Sequence, residues 1–220
     1  MLSAVARAAF PALGRLTVTT DEGAVLEPGS IVAPNHSSLV DPGVVLAAVS
    51  RLGVEPVILA TAGLWRIPVL GRALVREGHV PVHRGTDRAA EALEAAAEAL
   101  AAGRVVIIYA EGRLPRRVDA ADTAPGPFRT GLARLAAGGA PVVPLGQAGA
   151  RRISSGSTAK QVAGVFTAPL RRPGVHVHVG AALRLTGGVQ DATAQAHAAV
   201  TRAWRTAADR LAERPDLRRG

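Results

Sequence analysis

Ile31-Val32-Ala33-Pro34-Asn35-His36-Ser37-Ser38-Leu39-Val40-Asp41-Pro42 carries an apolar run into a histidine, a short polar turn and an Asp-Pro pair. The apolar run reads as a buried strand. Asp41 followed by Pro42 reads as an N-cap with proline at the first helical position, which predicts a helix from about Pro42 to Arg51 and leaves His36 on the loop between strand and helix. Five residues separate His36 from Asp41, too far round for one face of a regular helix, so the two side chains meet only if Ser37 to Val40 make a turn. A histidine bonded to a carboxylate has one tautomer fixed and its other nitrogen free to take a proton, which is the arrangement of a general base. The spacing alone is common by chance, and a loop histidine beside a helix start also serves as a plain cap. None of the other five histidines has an acid five residues on.

Working outward, the chain alternates. Leu16 to Thr20 is β-branched and strand-like, Asp21-Glu22-Gly23 is a turn, and Pro56 to Thr61 reads as a second buried strand. Ala62 to Val75 predicts a helix broken at Pro68, and His79 to His83 has the period of a short strand with its histidines on one face. Asp87 to Ala102, rich in Ala, Leu and Glu and closed by Gly103, is the clearest helix. Arg104 to Tyr109 follows as strand, Leu114 to Phe128 as loop, Arg129 to Ala137 as helix and Pro141 to Leu145 as strand. Between Ala148 and Pro173 the pattern dissolves into a long surface excursion with an apolar part from Val162 to Leu170. Val175 to Val179 is a late strand, and Asp191 to Arg214 a last helix whose arginines read as a solvated face. The alternation implies a single α/β domain over 1–220, with a largely parallel central sheet flanked by helices and active residues at strand ends.

Composition narrows the chemistry. At 220 residues the chain accommodates one sizeable core, 48% hydrophobic against 20% charged content excludes disorder, and the absence of cysteine excludes disulfides and thiolate catalysis. The formal charge of +9 and a sequence pI near 11.5 suit an anionic partner, either phosphorylated substrate, anionic membrane surface or nucleic acid. Aromatic residues at 3% and scattered arginines leave no base-stacking surface, so no nucleic-acid partner is expected. No apolar stretch approaches the roughly 20 residues that span a bilayer. Met1 to Leu16 reads either as an interfacial amphipathic segment or as a first helix packed on the domain, without the pattern of a signal peptide. His79 with His83, and His176 with His178, have metal-ligand spacing, yet no acidic cluster accompanies either pair and structural histidines are expected. Pro141 and Pro144 are expected to shape the strand ends.

Three more stretches fall at strand ends: Gly78-His79-Val80-Pro81-Val82-His83-Arg84, Tyr109-Ala110-Glu111-Gly112-Arg113 and Ala140-Pro141-Val142-Val143-Pro144-Leu145-Gly146, the last an apolar strand bracketed by prolines. With Asn35-His36 and Asp41 as the first block, their order resembles the four blocks of the glycerolphosphate and lysophospholipid acyltransferase family, 1-acylglycerol-3-phosphate acyltransferases in particular. The resemblance runs from about Ser30 to Gly146 and includes Leu64-Trp65-Arg66-Ile67-Pro68-Val69-Leu70-Gly71 and Phe128-Arg129-Thr130-Gly131.

The resemblance implies transfer of a fatty acyl group from an acyl-CoA or acyl carrier protein thioester to a lysophospholipid hydroxyl. His36 would be the general base and Asp41 its orienting partner. Arg84 and Arg113 would hold the acceptor phosphate, Glu111 would position an arginine or bind a hydroxyl, and Gly112 would let the backbone approach the ligand. No metal and no bound cofactor are implied, and the expected location is the cytoplasmic face of the cell membrane, peripherally attached. The third block departs from the family pattern: Ala110 stands in place of proline, and Leu114 stands where the family carries arginine, with Arg113, Arg116 or Arg117 as substitutes. That departure leaves open a non-phosphorylated or specialised acceptor, and a non-catalytic lipid- or carrier-binding module is the alternative in another class.

Overall fold

The computed structural model describes residues 2–83, 88–114 and 121–212. Seven strands form one sheet in the order β1-β7-β6-β2-β5-β3-β4, built from β1 (Arg15–Thr20), β2 (Ile31–Pro34), β3 (Val57–Thr61), β4 (Val80–Val82), β5 (Val106–Ile107), β6 (Val142–Ala148) and β7 (Gly174–Val179). From β6 to β4 every pairing is parallel, with Ile31 beside both Val106 and Val142. β7 turns back antiparallel to β6, and β1 pairs parallel to β7 at the edge. The sheet is thus largely parallel, as the alternation implied.

Helices cover both faces because β2, β5 and β6 are buried on both. On one face Val32, Ile107, Val143 and Leu145 pack with Phe10 of α1 (Leu2–Leu13), with α2 (Asp41–Arg51), with Ile153 of α6 (Ala150–Ile153) and with Ala168 of α7 (Thr158–Arg171). On the other, Ile31, Ala33, Val106 and Val142 pack with Ala92 and Ala96 of α4 (Ala89–Ala101), with Leu132 of α5 (Gly131–Ala136) and with Ala196 and Val200 of α8 (Val189–Ala212). Each fully buried valine or leucine contributes roughly 1.5–3 kcal/mol relative to exposure. Gly146 lets α8 cross β6 at backbone distance, since a Cβ there would lie 2.1 Å from the Ala203 carbonyl carbon.

Several boundaries differ from expectation. α2 starts at Asp41, and the residue before it, Val40, is helical with no side-chain cap, so Asp41 is not the N-cap of its own helix. Its carboxylate turns back to the preceding loop instead. Ala62–Arg66 is a 3₁₀ turn that passes into α3 (Pro68–Arg76), and β5 is reduced to two residues. β6 runs on to Ala148, which places Pro144 inside the strand and not at its end. The expected surface excursion after Ala148 is instead α6 and α7, with Ala150, Arg151, Ile153, Ser154 and Ala168 buried. α1 packs on α2, burying Ser3 and Phe10, and the Leu2 amide donates to both carboxylate oxygens of Glu77 (2.7 and 2.9 Å). The last helix buries a small-residue face, Ala192, Ala196, Ala199, Ala203 and Ala207, and keeps its arginines off it.

His79, His176 and His178 are held by hydrogen bonds. The Ile58 amide donates to His79 Nδ1 (3.1 Å), and Glu77 lies 3.5 Å from His79 Nε2. Thr19 Oγ1 bridges His176 Nε2 (2.9 Å) and His178 Nδ1 (3.0 Å), while His178 Nε2 meets Asp21 (3.1 Å).

Candidate active site

β2 delivers Asn35 and His36 to the carboxyl end of the sheet. Asn35 is buried and spans to β6 as a backbone-like pair: its Nδ2 donates to the Gln147 carbonyl (3.1 Å) and its Oδ1 accepts the Gln147 amide (2.7 Å). Gln147 returns a bond from Nε2 to the Asn35 carbonyl (2.9 Å). Three hydrogen bonds therefore fix the residue before the histidine.

Beyond Asn35 the loop curls around Asp41, which is wholly buried. One oxygen, Oδ2, accepts the Ser37 and Ser38 amides, the latter at 2.8 Å, and lies 3.1 Å from His36 Nδ1. The turn required of Ser37 to Val40 is thus made by the carboxylate itself. It brings His36 and Asp41 together and assigns Nδ1 as the donor, leaving Nε2 as the nitrogen available to the cavity that His36 lines. Buried Arg151 of α6 donates from Nη1 to the Ser37 carbonyl (2.9 Å), and Ser38 Oγ donates to the Ser154 carbonyl (2.6 Å), so α6 clamps the loop from outside. Tyr109 stacks against the imidazole with ring centroids 4.3 Å apart, and burial raises its hydroxyl well above the ordinary tyrosine range.

Glu111 reaches the same loop from the end of β5. Its Oε1 accepts the His36 amide (2.7 Å) and its Oε2 the Gly126 amide (2.8 Å). Both oxygens are therefore engaged by backbone, and the side chain fastens two loops where an arginine or a substrate hydroxyl was expected. Burial pushes its carboxyl up, and the two amides partly offset that. Gly112 has a positive φ of 68°, and the Cβ it lacks would sit 2.7 Å from Cδ of Arg129, whose side chain lies across it. The close approach at Gly112 in this structure is that of a side chain from α5's leading loop.

A cavity of about 530 Å³ opens among these groups, lined by His36, Glu111, Arg113, Leu114, Phe128 and Arg129. Phe128 meets His197 of α8 edge to face at 5.0 Å, and His197 Nε2 lies 3.2 Å from the Pro125 carbonyl, so α8 braces the cavity's far wall. Arg113 and Arg129 both line the cavity that holds the histidine. Sequence reading gave Arg129 no role, although it lies in a family-like stretch. Arg84, and the substitutes Arg116 and Arg117, lie outside the described residues.

A family model described as Acyltransferase matches residues 15–147, which covers β1 to β6 and every part of this site in β2, β5 and their loops. The chain belongs to the acyltransferase family. The acyltransferase is also similar in structure to the 1-acyl-sn-glycerophosphate acyltransferase PlsC of Thermotoga maritima. That likeness has a TM-score of 0.71 at 19% identity and covers 98% of this chain and 80% of the other. No curated protein matches the sequence. Among the described residues of the acyltransferase no helix is long and apolar enough to cross a membrane.

Proposed function

We propose that this acyltransferase moves a fatty acyl group from an acyl-CoA or acyl carrier protein thioester to the hydroxyl of a lysophospholipid of the 1-acylglycerol-3-phosphate class. The observation that carries the reading is the histidine whose Nδ1 is bound to a buried carboxylate while it lines a cavity shared with two arginines. His36 Nε2 accepts the proton of the acceptor hydroxyl as its oxygen attacks the thioester carbon. Asp41 holds the tautomer and stabilises the imidazolium that forms. Collapse of the tetrahedral intermediate breaks the carbon–sulfur bond, and the imidazolium returns its proton to the departing thiolate. The sequence needs no acyl-enzyme.

Arg113 and Arg129 hold the acceptor's phosphate, because a guanidinium fork matches phosphate oxygens and both residues line the cavity. Arg129 thereby does the work that Leu114 cannot do at the family's arginine position. The lipid substrates place the enzyme at an anionic membrane surface.

Free-thiol release from a long-chain acyl thioester, with and without lysophosphatidate, tests the reading. Release should require acceptor and fall by on the order of 100- to 10,000-fold in His36→Ala, the range that general base catalysis contributes. Unchanged release in that variant would remove His36 from the mechanism.

A further inference from the structure

α7 is amphipathic in the direction opposite to that of a packed helix. At about 100° per residue, Ala168, Gly164 and Gln161 form its inward arc, and Gly164 approaches so closely that a Cβ would lie 2.4 Å from the Ile153 carbonyl oxygen. Val165 packs beside them on the core, and the other three large apolar residues lie on the opposite side. Val162 is 52% exposed, Phe166 78% and Leu170 81%, and with Ala159, Ala163 and Pro169 they fill an arc of about 120° that no element of the described fold covers. Monomeric surfaces tolerate single exposed apolar side chains, but three large ones in register over about 12 Å of helix mark a contact face.

Charge identifies what the face meets. From Ala150 to Arg172 the chain has Arg151, Arg152, Lys160, Arg171 and Arg172 and not one acid. Lys160 and Arg171 lie on the arc between the apolar face and the buried one, where a helix lying in a bilayer interface carries its cations. Arg171 is held there by bonds from Nη1 to the Arg152 carbonyl (2.7 Å) and from Nη2 to the Gly164 carbonyl (2.9 Å).

We infer that α7 is the surface by which this acyltransferase docks on a bilayer containing anionic phospholipid, with Phe166 and Leu170 entering the acyl boundary and the flanking cations meeting headgroup phosphates. The inference deepens the lysolipid reading, since an enzyme drawing its acceptor from a bilayer needs its base close to it. The coupling runs through α6. Gly164 packs on Ile153, the Ser154 carbonyl holds Ser38, and Arg151 holds Ser37, so the docking helix is joined to the loop that carries His36. Leu39, on that loop, is itself 59% exposed.

Flotation of the full chain with phosphatidylcholine vesicles, with and without phosphatidylglycerol, tests the inference. The wild type should float with the anionic vesicles and lose them in high salt. The double substitution Phe166→Asp and Leu170→Asp should lower partition at least tenfold, given the transfer free energy of two such side chains, while leaving the melting profile unchanged because both positions are exposed. Phe166→Trp should retain binding and shift its indole emission to the blue on anionic vesicles.

Undiminished flotation of the aspartate variant would overturn the inference. So would a wild-type dimer that dissociates on the same substitution and ignores vesicles, which would put a second copy on the face. Because flotation needs no turnover, failure of thiol release with every acceptor would count against the chemistry alone. Loss of turnover on vesicle-borne acceptor, with turnover of a monodisperse short-chain acceptor kept, would mark docking as the step removed.

Discussion

Asp41 gives the sharpest separation between a loop staple and a catalytic carboxylate. The Ser37 amide, the Ser38 amide and His36 Nδ1 all converge on Oδ2, while Oδ1 has only the Ser37 hydroxyl at 3.4 Å. In Asp41→Asn the amide oxygen can occupy the Oδ2 position and keep all three donors, with Nδ2 directed at a hydroxyl that rotates to accept. The loop then loses only the charge assistance of its bonds, a cost on the order of 1–2 kcal/mol. Asp41→Ala instead leaves two backbone N–H groups buried without acceptors, at about 1–3 kcal/mol each, or roughly 2–6 kcal/mol together. Against a typical domain stability of about 5–15 kcal/mol, the alanine variant is marginal and the asparagine variant folded.

Catalysis should show the reverse emphasis. A neutral amide does not stabilise an imidazolium, so kcat in Asp41→Asn should fall by on the order of 100- to 10,000-fold with the fold intact. Urea denaturation followed by circular dichroism gives the first quantity and thiol release the second. A folded Asp41→Asn protein that turns over within a few-fold of wild type would show that Asp41 only staples the turn, and the general-base assignment would fall with it.

Arg129→Ala and Arg113→Ala should each raise KM for a phosphorylated acceptor by about tenfold or more with little effect on KM for the thioester, since a charge-assisted bond contributes roughly 1.5–3 kcal/mol. Equal effects on both substrates in steady-state kinetics would refute the phosphate assignment. His79 is neutral in the fold because burial lowers its pKa below the ordinary 6.5, against a smaller opposing effect of Glu77. Its contribution to stability is therefore complete above about pH 6.5 and lost as pH falls through the lower folded value. Urea midpoints should drop on acidification more steeply in wild type than in His79→Gln, and parallel curves would refute the assignment.

The route from sequence to site was legible where local chemistry settles it. A run of β-branched and aliphatic residues ending at Asn35-His36, followed by Asp-Pro at a helix start, specifies strand, loop and helix through dihedral preference and apolar periodicity alone. The order of strands and helices, and with it the largely parallel sheet and the family, rests on the same short-range information. His36 and Asp41 were readable as a pair because the turn that joins them spans only the residues between them. Even there the direction of the carboxylate was not, since a cap on its own helix and a cap on the preceding loop place the same residue at the same position.

What tertiary structure decided are contacts between residues far apart in the chain. Asn35 and Gln147 meet because β2 and β6 are neighbours in the sheet, and nothing near either residue encodes that adjacency. Glu111 is a strand-end carboxylate in the sequence, and only the placement of the His36 and Gly126 amides makes it a fastener. Gly112 makes room for Arg129 because the strand end and the loop before α5 converge on the cavity. In α7 the sequence holds two apolar arcs' worth of small and large residues, and packing against Ile153 selects the small one, Gly164 and Ala168, for the core. The large one is left outside, because close approach of two helices rewards the absence of a side chain and not the presence of an apolar one.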